Sequence, residues 1–315
     1  MSKGRGYRIG FRLSYTGSFD VDKPVNVMGD ELVAVMLGRA LKACDEVDTV
    51  LLVSGKVPPP GVDVDIMIHF NAFLQISPEV PNLFYLQNVF PPNLFPGGTP
   101  QVFKDHRELF DGFLFTSEPL RKAMDAEGLV LPFATEPSFF QPPGPEGPDP
   151  ELAHPVSFCG NNIRGWEVNR RFLAPAMRHG LVIYGGMWER RPYDRHARGK
   201  LPMDRLPALY AASGINLNLH LDEHVQYETL NLRVYDCLAC GGFMLSDPHP
   251  EIEAEFSEAV AVTQGDQAMG DDIQRYLKDA DLRQRMAAVG RRIVLEKHTY
   301  RQRADLLLRH LKEIL

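Results

Sequence analysis

The stretch YETLNLRVYDCLACGGFMLSD, from Tyr227 to Asp247, places a helical segment directly before a short apolar strand. Leu230–Cys240 has helical spacing of its apolar residues, and Gly241 and Gly242 interrupt that helix. The apolar run that follows at once predicts a strand over Gly242–Leu245. A helix that leads through a glycine break into a buried strand favours an α/β fold.

Two carboxylates in this stretch lie eight residues apart, Glu228 and Asp236. If Glu228 begins a helix, the free N–H groups of the next residues point at an anion such as a diphosphate. The alternative is that Arg233 and Asp236 form an ordinary surface pair and that Glu228 is only a favourable charge near a helix N-terminus. The residues alone leave both interpretations open.

Strand and helix patterns alternate on both sides of this stretch, which predicts parallel sheets flanked by helices. The first half carries strand-like runs at Tyr7–Leu13, Val50–Ser54, Asp65–Phe70, Asn82–Gln87 and Gly112–Thr116, with a helix over Gly29–Cys44. The second half carries strand-like runs at Val156–Cys159, Leu181–Tyr184, Ile215–Leu219, Gly242–Leu245 and Ala259–Val262, with helices over Asn169–His179, Arg205–Ala212 and Leu230–Cys240. Thr299–Leu315 predicts a closing helix.

The densest cluster of proline and glycine, Gln141–Pro155, predicts the linker between two domains. The predicted divisions are an N-terminal domain over 1–140, a linker over 141–155, a C-terminal domain over 156–298, and a closing helix over 299–315 that returns to the first domain. A length of 315 residues suits two domains of ordinary size.

Composition excludes several classes of protein. The chain has 44% hydrophobic and 24% charged residues, which is ordinary globular composition, and no run approaches the length of a membrane span. We expect a cytoplasmic protein. The net charge of −7 does not favour a nucleic-acid partner. Residues 160–205, however, contain ten Lys and Arg against four Asp and Glu, which favours a phosphate ligand there.

The signature in Tyr227–Asp247 resembles the nucleotide-sugar signature of GT-B glycosyltransferases. Its sequence is similar to that of the CgeB-like, spore-maturation-protein-type glycosyltransferase family. The resemblance includes VSFCGNN at Val156–Asn162, LVIYGGMW at Leu181–Trp188, Gly199–His220 and HTYRQR at His298–Arg303. In the first half it is confined to Leu129–Pro142. The second acidic position of the family is usually Glu, and here it is Asp236, which is one methylene shorter.

The resemblance implies a GT-B fold with two Rossmann-like domains that face each other across a cleft. It implies a hexosyltransferase-type enzyme that takes a nucleotide-diphosphate sugar, with a UDP-sugar as the first candidate, retains anomeric configuration and needs no metal or other cofactor. The acceptor is unidentified: a glycan, a protein or a small molecule. Two alternatives stay open, a non-catalytic binding or structural protein of a surface or spore-coat assembly, and a nucleotide-sugar epimerase.

The same resemblance assigns roles to residues of the donor site. Glu228 contacts sugar hydroxyls and Asp236 the ribose, while Arg233 and Arg164 contact the diphosphate together with the Gly160 loop. The backbone of Lys200 and Leu201 contacts the base. The remaining donor-binding candidates are Asn161, Tyr184, Gly185, Thr229, Leu230 and Asn231.

Outside the signature, His69 is the second catalytic candidate. It lies at the end of the predicted strand Asp65–Phe70, where it could orient an acceptor hydroxyl or act as a base; the alternative is a hydrogen-bonded, half-buried histidine. Two Asp-x-Asp triplets, Asp20–Asp22 and Asp63–Asp65, have the spacing of a metal site, but we favour solvated loops for both.

Overall fold

The computed structural model describes residues 5–13, 29–54, 63–70, 76, 78–89 and 98–315. Its eleven strands are β1 (Tyr7–Leu13), β2 (Val47–Ser54), β3 (Ile66–Phe70), β4 (Asn82–Leu86), β5 (Gly112–Phe115), β6 (Leu129–Val130), β7 (Val156–Cys159), β8 (Leu181–Tyr184), β9 (Ile215–Asn218), β10 (Met244–Ser246) and β11 (Val260–Val262). Its α-helices are α1 (Asp30–Lys42), α2 (Gly98–His106), α3 (Glu118–Ala123), α4 (Trp166–Val168), α5 (Ala174–Ala176), α6 (Leu206–Ala212), α7 (Asp222–Gln226), α8 (Leu232–Ala239), α9 (Pro250–Glu255), α10 (Asp266–Lys278), α11 (Ala280–Lys297) and α12 (Tyr300–Ile314).

The chain divides into two units. The first contains Met1–Phe133, Gln226–Thr229 and Tyr300–Leu315, and the second contains Ala134–Val225 and Leu230–Thr299. The helix α12 therefore belongs to the first unit.

The first unit is built on a parallel sheet in the order β2-β1-β3-β4-β5-β6. Every residue of β3 and β4 is buried, as expected for parallel strands that are covered on both faces. Helix α1 buries the apolar face that its sequence predicts, and α12 packs against α1. Arg301 and Lys312 of α12 add a hydrogen bond to Ala43 O and an ion pair with Glu46.

The second unit has a five-stranded parallel sheet in the order β11-β10-β9-β7-β8. The core of this unit is apolar and buried, with Phe158, Ile183, Leu217 and Leu245 contributed by four neighbouring strands. A single π-helical turn, Asn169–Leu173, connects α4 and α5. It brings Asn169 Nδ2 within 2.7 Å of Asn162 Oδ1 in the loop after β7.

Both sheets have the same arrangement around their first strand, β2-β1-β3 in one and β8-β7-β9 in the other. In this arrangement the chain leaves the first strand toward opposite sides, so a crevice opens at the carboxyl ends of the central strands. In the second unit that position lies where β7 ends at Cys159 and β9 ends at Asn218.

All predicted strands are observed, with small shifts at their ends. The segment Gln141–Pro155, predicted as the linker, lies within the second unit because its residues pack there. Asp149 pairs with Arg205 over 2.8 Å, and Leu152 is buried against Tyr184 and Leu209. Strand β6 and seven helices were not predicted: α2, α3, α4, α7, α9, α10 and α11. No helix in the described ranges is long and apolar enough to cross a membrane.

Candidate functional site

Arg233 lies at the carboxyl edge of the second sheet, on the first turn of α8. Its Nε donates to Cys159 O over 2.8 Å, and its Nη1 donates to Asn218 Oδ1 over 2.9 Å. Because Cys159 ends β7 and Asn218 ends β9, the guanidinium spans the two strands at which the chain reverses direction across the sheet. The fold therefore places a cation where α/β sheets bind their ligands.

Arg164 lies on the loop after β7 and reaches the same edge. Its Nε donates to Leu219 O over 2.8 Å and its Nη1 to Asn161 O over 3.1 Å. Burial, and then the neighbouring charge of Arg233, lower the pKa of Arg164 to about 9, against an opposing effect of Asp247. The guanidinium is thus charged at neutral pH but held in an environment that disfavours its charge.

Phe158 lies beneath both guanidinium groups. The guanidinium carbon is 5.3 Å from the ring centroid for Arg164 and 5.0 Å for Arg233. Among the described residues neither arginine forms an ion pair, and both guanidiniums donate to carbonyl and amide oxygens. Two like charges held together without a carboxylate are costly, and a bound anion would remove that cost.

Two loops of this edge interlock at glycines. Gly160 N donates to Tyr184 O, and Gly186 N donates to Asn161 Oδ1, both over 2.8 Å. Gly185 has φ +144°, and a Cβ there would lie 2.2 Å from Gly160 O. A Cβ on Gly160 would lie 2.9 Å from Arg233 Nη2. The close approach of these loops to each other and to Arg233 thus requires residues without side chains.

The other donor-site candidates of the second unit lie beside these loops. Tyr184 is buried and its hydroxyl hydrogen-bonds His154 Nε2 over 3.0 Å, while Leu201 packs in the apolar cluster that contains Tyr184. Lys200 is exposed, and its Cε lies 3.7 Å from where a Cβ of Gly186 would be. Contact of Lys200 and Leu201 with a base stays a prediction.

The helix of the signature begins later than its sequence predicts. It starts at Leu232 with Asn231 at the N-cap, so Thr229, Leu230 and Asn231 precede it. The physical reason is the backbone of Glu228, whose φ of +51° is left-handed and cannot continue a right-handed helix. The N–H groups at the start of the helix are therefore those of Leu232 and Arg233, because Val234 N already donates to Asn231 O.

Asp236 lies on α8 and is only 3% exposed. Thr135 Oγ1 donates to its Oδ1 over 2.8 Å. Burial raises the pKa of Asp236 well above its usual value, although Thr135 and Arg233 oppose the shift. The surface pair of Arg233 with Asp236 is not formed, since Asp236 is buried and Arg233 bonds elsewhere. Contact with a ribose stays a prediction.

Glu228 belongs to the first unit, in the short segment Gln226–Thr229. Both of its neighbours are anchored by residues that follow β5. Tyr227 O accepts a hydrogen bond from Ser117 Oγ, and the hydroxyls of Thr229 and Thr116 bond each other over 3.1 Å. These contacts hold the left-handed backbone of Glu228, an arrangement that is frequent at functional sites.

His69 lies on β3 and is fully buried. It donates from Nε2 to Asn82 Oδ1 over 3.0 Å, because an amide oxygen can only accept. Its Nδ1 has no hydrogen-bond partner among the described residues. Burial lowers the pKa of His69 to about 4, with the charge of Arg12 acting in the same direction. The ring is therefore neutral, and a catalytic role for it stays a prediction.

Of the two Asp-x-Asp triplets, Asp20–Asp22 lies outside the described residues. Asp63 and Asp65 are paired with arginines. Asp65 accepts from Arg8 N over 2.8 Å and from Arg8 Nη2 over 3.0 Å, while Asp63 contacts Arg8 and Arg5. Within the described ranges, no group of three His, Cys, Asp or Glu residues is placed to hold a metal ion.

A buried polar group behind Arg233 was not predicted. Asn218, His220, Ser246 and Asp247 lie where β9 and β10 end, and they hydrogen-bond one another. Alternating polar residues in INLNLH and the Ser-Asp pair after an apolar strand are the signal that could have indicated them. Such residues at the ends of adjacent buried strands are typical of a site rather than of a core.

Comparisons with known proteins agree with this geometry. Residues 164–309 match a family described as glycosyl transferase-like. None of the curated proteins matches the chain significantly.

Solved structures resemble the chain over nearly its whole length. Sucrose-phosphate synthase from Thermosynechococcus elongatus has a TM-score of 0.70 at 14% identity, covering 98% of this chain and 99% of its own. Anabaena HepE in complex with UDP and glucose has a TM-score of 0.69 at 12% identity, covering 98% and 100%. AviGT4, a glycosyltransferase involved in avilamycin A biosynthesis, has a TM-score of 0.65 at 15% identity, covering 96% of both chains. The chain therefore has a GT-B, Rossmann-like α/β fold, and residues 164–309 within it are similar to a glycosyl transferase-like family.

Proposed function

We propose that the protein transfers a sugar from a nucleoside-diphosphate sugar to an acceptor. The observation that carries this proposal is the pair of guanidiniums of Arg164 and Arg233, which lie over Phe158 at the carboxyl edge of the second sheet without an ion-pair partner among the described residues. Two fixed positive charges suit a diphosphate better than a neutral ligand or a single carboxylate. HepE has been solved with UDP and with UDP-glucose, which makes a UDP-sugar the first candidate donor.

The proposed reaction needs stabilisation of a leaving diphosphate. As the bond to the sugar breaks, negative charge grows on the diphosphate oxygens, and Arg164 and Arg233 are already oriented toward such charge by their carbonyl partners. The protein's own cations can supply the charge that a metal supplies in other enzymes, so we propose transfer without a metal. Retention of configuration and hexosyl transfer are part of the same proposal.

The proposed roles of individual residues follow the signature. Glu228 contacts hydroxyls of the donor sugar, Asp236 the ribose, and the backbone of Lys200 and Leu201 the base. His69 orients the acceptor or accepts its proton. Membership of the CgeB-like subfamily and a cytoplasmic location complete the proposal, and the acceptor is left as a glycan, a protein or a small molecule.

Binding is tested first. A thermal-shift screen with UDP, GDP, ADP and dTDP identifies the base, since a ligand at 100 times its Kd stabilises the protein by about 2.7 kcal/mol. Calorimetry with the best nucleotide then compares the wild type with Arg233→Ala and with the control Arg195→Ala. Arg195 lies in the same basic stretch but is exposed. We expect a 10- to 100-fold weaker Kd only for Arg233→Ala, on the order of 1.5–3 kcal/mol.

Turnover is tested next, with donor hydrolysis and transfer measured in the presence and absence of EDTA. Release of free nucleoside diphosphate that EDTA leaves unchanged supports the proposal. Loss of activity in EDTA, restored by manganese, contradicts the metal-independent step. Tight nucleotide binding without turnover of any nucleotide sugar supports a non-catalytic protein, and an isomerised sugar still attached to its nucleotide supports an epimerase.

A further inference from the structure

A chain of buried polar side chains connects Asp247 to Arg233 across the ends of β9 and β10. His220 donates from Nδ1 to Asp247 Oδ1 over 2.8 Å. His220 Nε2 lies 3.3 Å from Asn218 Nδ2, and Asn218 Oδ1 accepts from Arg233 Nη1 over 2.9 Å. We call these three side chains, Asp247, His220 and Asn218, the relay.

The direction of every hydrogen bond in the relay is fixed from the Asp247 end. Asp247 also accepts from His220 N over 2.9 Å and from Ser246 Oγ over 3.2 Å. Although burial alone would raise it, the interactions with His220 lower the pKa of Asp247 below its usual value, so this carboxylate is charged and accepts. His220 Nδ1 therefore donates to Asp247, and Ser246 Oγ, whose proton goes to the same carboxylate, is left to accept.

Ser246 Oγ sets the orientation of the Asn218 amide. Because its proton goes to Asp247, it accepts from the Asn218 NH₂ group over 2.9 Å, and the same NH₂ group faces His220 Nε2. The amide oxygen must then face the other way, toward Arg233. An inverted amide would present donors to a guanidinium, which has only donors, and would repel it.

Strand register makes the relay possible. Ser246 pairs with Asn218 across the parallel β9–β10 ladder, so the residues that follow, His220 and Asp247, leave the sheet side by side. The His220 side chain is fully buried, and that of Asp247 is 10% exposed. His220 thus has no surface with which to contact a ligand and can act only through its neighbours.

We propose that His220 and Asp247 are positioning residues for Arg233, and that they act through Asn218 to hold the guanidinium where a nucleoside diphosphate binds. This inference rests on the proposed function. The inference adds to the proposed donor site two residues, His220 and Asp247, that do not touch the donor. Without the bond to Asn218, the bond from Arg233 Nε to Cys159 O leaves the guanidinium free to tilt.

A double-mutant cycle tests the relay. Calorimetry measures the affinity of the best-binding diphosphate among UDP, GDP, ADP and dTDP, and of its parent nucleoside, for the wild type, His220→Ala, Arg233→Ala and the double variant. We expect His220→Ala to weaken diphosphate binding about tenfold, the size of one hydrogen bond to a charged group, and to leave nucleoside binding unchanged. In the Arg233→Ala background the second substitution should have no further effect.

His249→Ala is the matched control. Its ring stacks on that of His220, with centroids 4.4 Å apart, and it is equally buried, but its hydrogen bonds go to His224 O and from Glu251 N. We expect this variant to lose stability and to keep its affinity within about twofold. His220→Gln, which retains one donor and one acceptor, should keep most of the affinity that His220→Ala loses.

The outcomes separate this inference from the proposed function. If Arg233→Ala binds weakly but His220→Ala behaves like His249→Ala, or weakens binding equally in both backgrounds, the relay is overturned and the diphosphate site stands. If Arg233→Ala binds as tightly as the wild type, or no diphosphate binds, both the proposed diphosphate site and the relay are contradicted. Should His220→Ala not fold, Asp247→Asn takes its place in the same cycle, with the same loss of diphosphate affinity expected.

Discussion

The two sheets have the same strand order around their first strand, but their polar side chains lie on different kinds of element: on strands in the first unit, and on a loop and a helix in the second. In the first unit, Arg12 and His69 are paired in register on β1 and β3, and both are fully buried. In the second unit, Arg164 and Arg233 come from a loop and a helix that follow the strands. Groups on a strand are fixed within the core and lose their water, and burial accordingly lowers the pKa of both Arg12 and His69.

Groups carried by a loop or a helix end reach the edge of the sheet, although burial lowers the pKa of Arg164 as well, to about 9. The difference places Arg164 and Arg233 at the carboxyl edge of the second sheet, and Arg12 and His69 within the core of the first unit. The units should therefore respond differently to substitution, pH and donor chemistry.

The largest expected effect concerns Glu228 of the first unit. Glu228→Gln should lower kcat on the order of 10²- to 10³-fold and leave nucleotide Kd nearly unchanged, because the proposed contact is to the sugar and strengthens in the transition state. Steady-state kinetics with the donor, together with calorimetry of the free nucleotide, measure the two quantities. An equal loss in kcat and in nucleotide affinity would contradict a sugar contact.

Acid should expose the buried histidine of the first unit. The folded pKa of His69, about 4, lies below its unfolded value near 6.5, so the unfolded chain binds the proton more readily. The neutral, buried His69 therefore contributes to the free energy of unfolding in full above pH 6.5. That contribution, about 3 kcal/mol, is lost as the pH falls toward 4. Urea unfolding from pH 7 to 4 measures it.

His224, whose pKa burial lowers to about 3, contributes to the same slope. His69→Gln, which keeps a donor for Asn82, should therefore flatten the pH dependence only in part. A profile identical to that of the wild type would show that His69 is not the titrating group.

The next prediction concerns the second unit and tests whether the shape of the Arg233 guanidinium matters for nucleotide binding. Arg233→Lys keeps the charge but cannot bond Cys159 O and Asn218 Oδ1 at once, so we expect about tenfold weaker nucleotide binding. Arg195→Lys is the matched control and should bind as the wild type does. If Arg233→Lys keeps full affinity, charge alone and not the bidentate geometry serves the site.

Thr135→Val should have the smallest of these effects. It removes the hydroxyl that donates to Asp236 and should destabilise the protein by about 1 kcal/mol, the net contribution of one ordinary hydrogen bond. Chemical unfolding measures the change. Ser213→Ala is the control, since Ser213 Oγ is buried and has no hydrogen-bond partner in the described part of the chain. Equal costs in both variants would show that the Thr135 bond adds nothing.

Sequence patterns predicted the sheets well because parallel strands buried on both faces are short apolar runs ended by turn residues. They singled out Arg233 within the signature and Arg164 after the Gly160 loop, and the structure places both at the carboxyl edge of the second sheet, while their contact with a ligand stays a prediction. They did not predict the relay, since it depends on the register that pairs Ser246 with Asn218, and register between strands 28 residues apart is set by tertiary packing.

The surroundings of Asp236 were missed for a related reason. Its spacing from Glu228 indicated a shared ligand, but Thr135, its hydrogen-bond partner, lies 101 residues away in the chain. The left-handed φ of Glu228 was also not visible in the sequence, because glutamate has no preference for that conformation. Spacing thus indicated a candidate segment and left its backbone conformation undetermined.

The π-helical turn Asn169–Leu173 has a consequence for insertions and deletions. A π turn holds one residue more than an α turn, so deletion of one residue here would regularise the helix and not break it. The same deletion would rotate the preceding helical residues by about 100° relative to the following ones, and Asn169 would turn away from Asn162. Length at this position is therefore constrained by the loop after β7 and not by the helix itself, and a library that varies chain length should spare it.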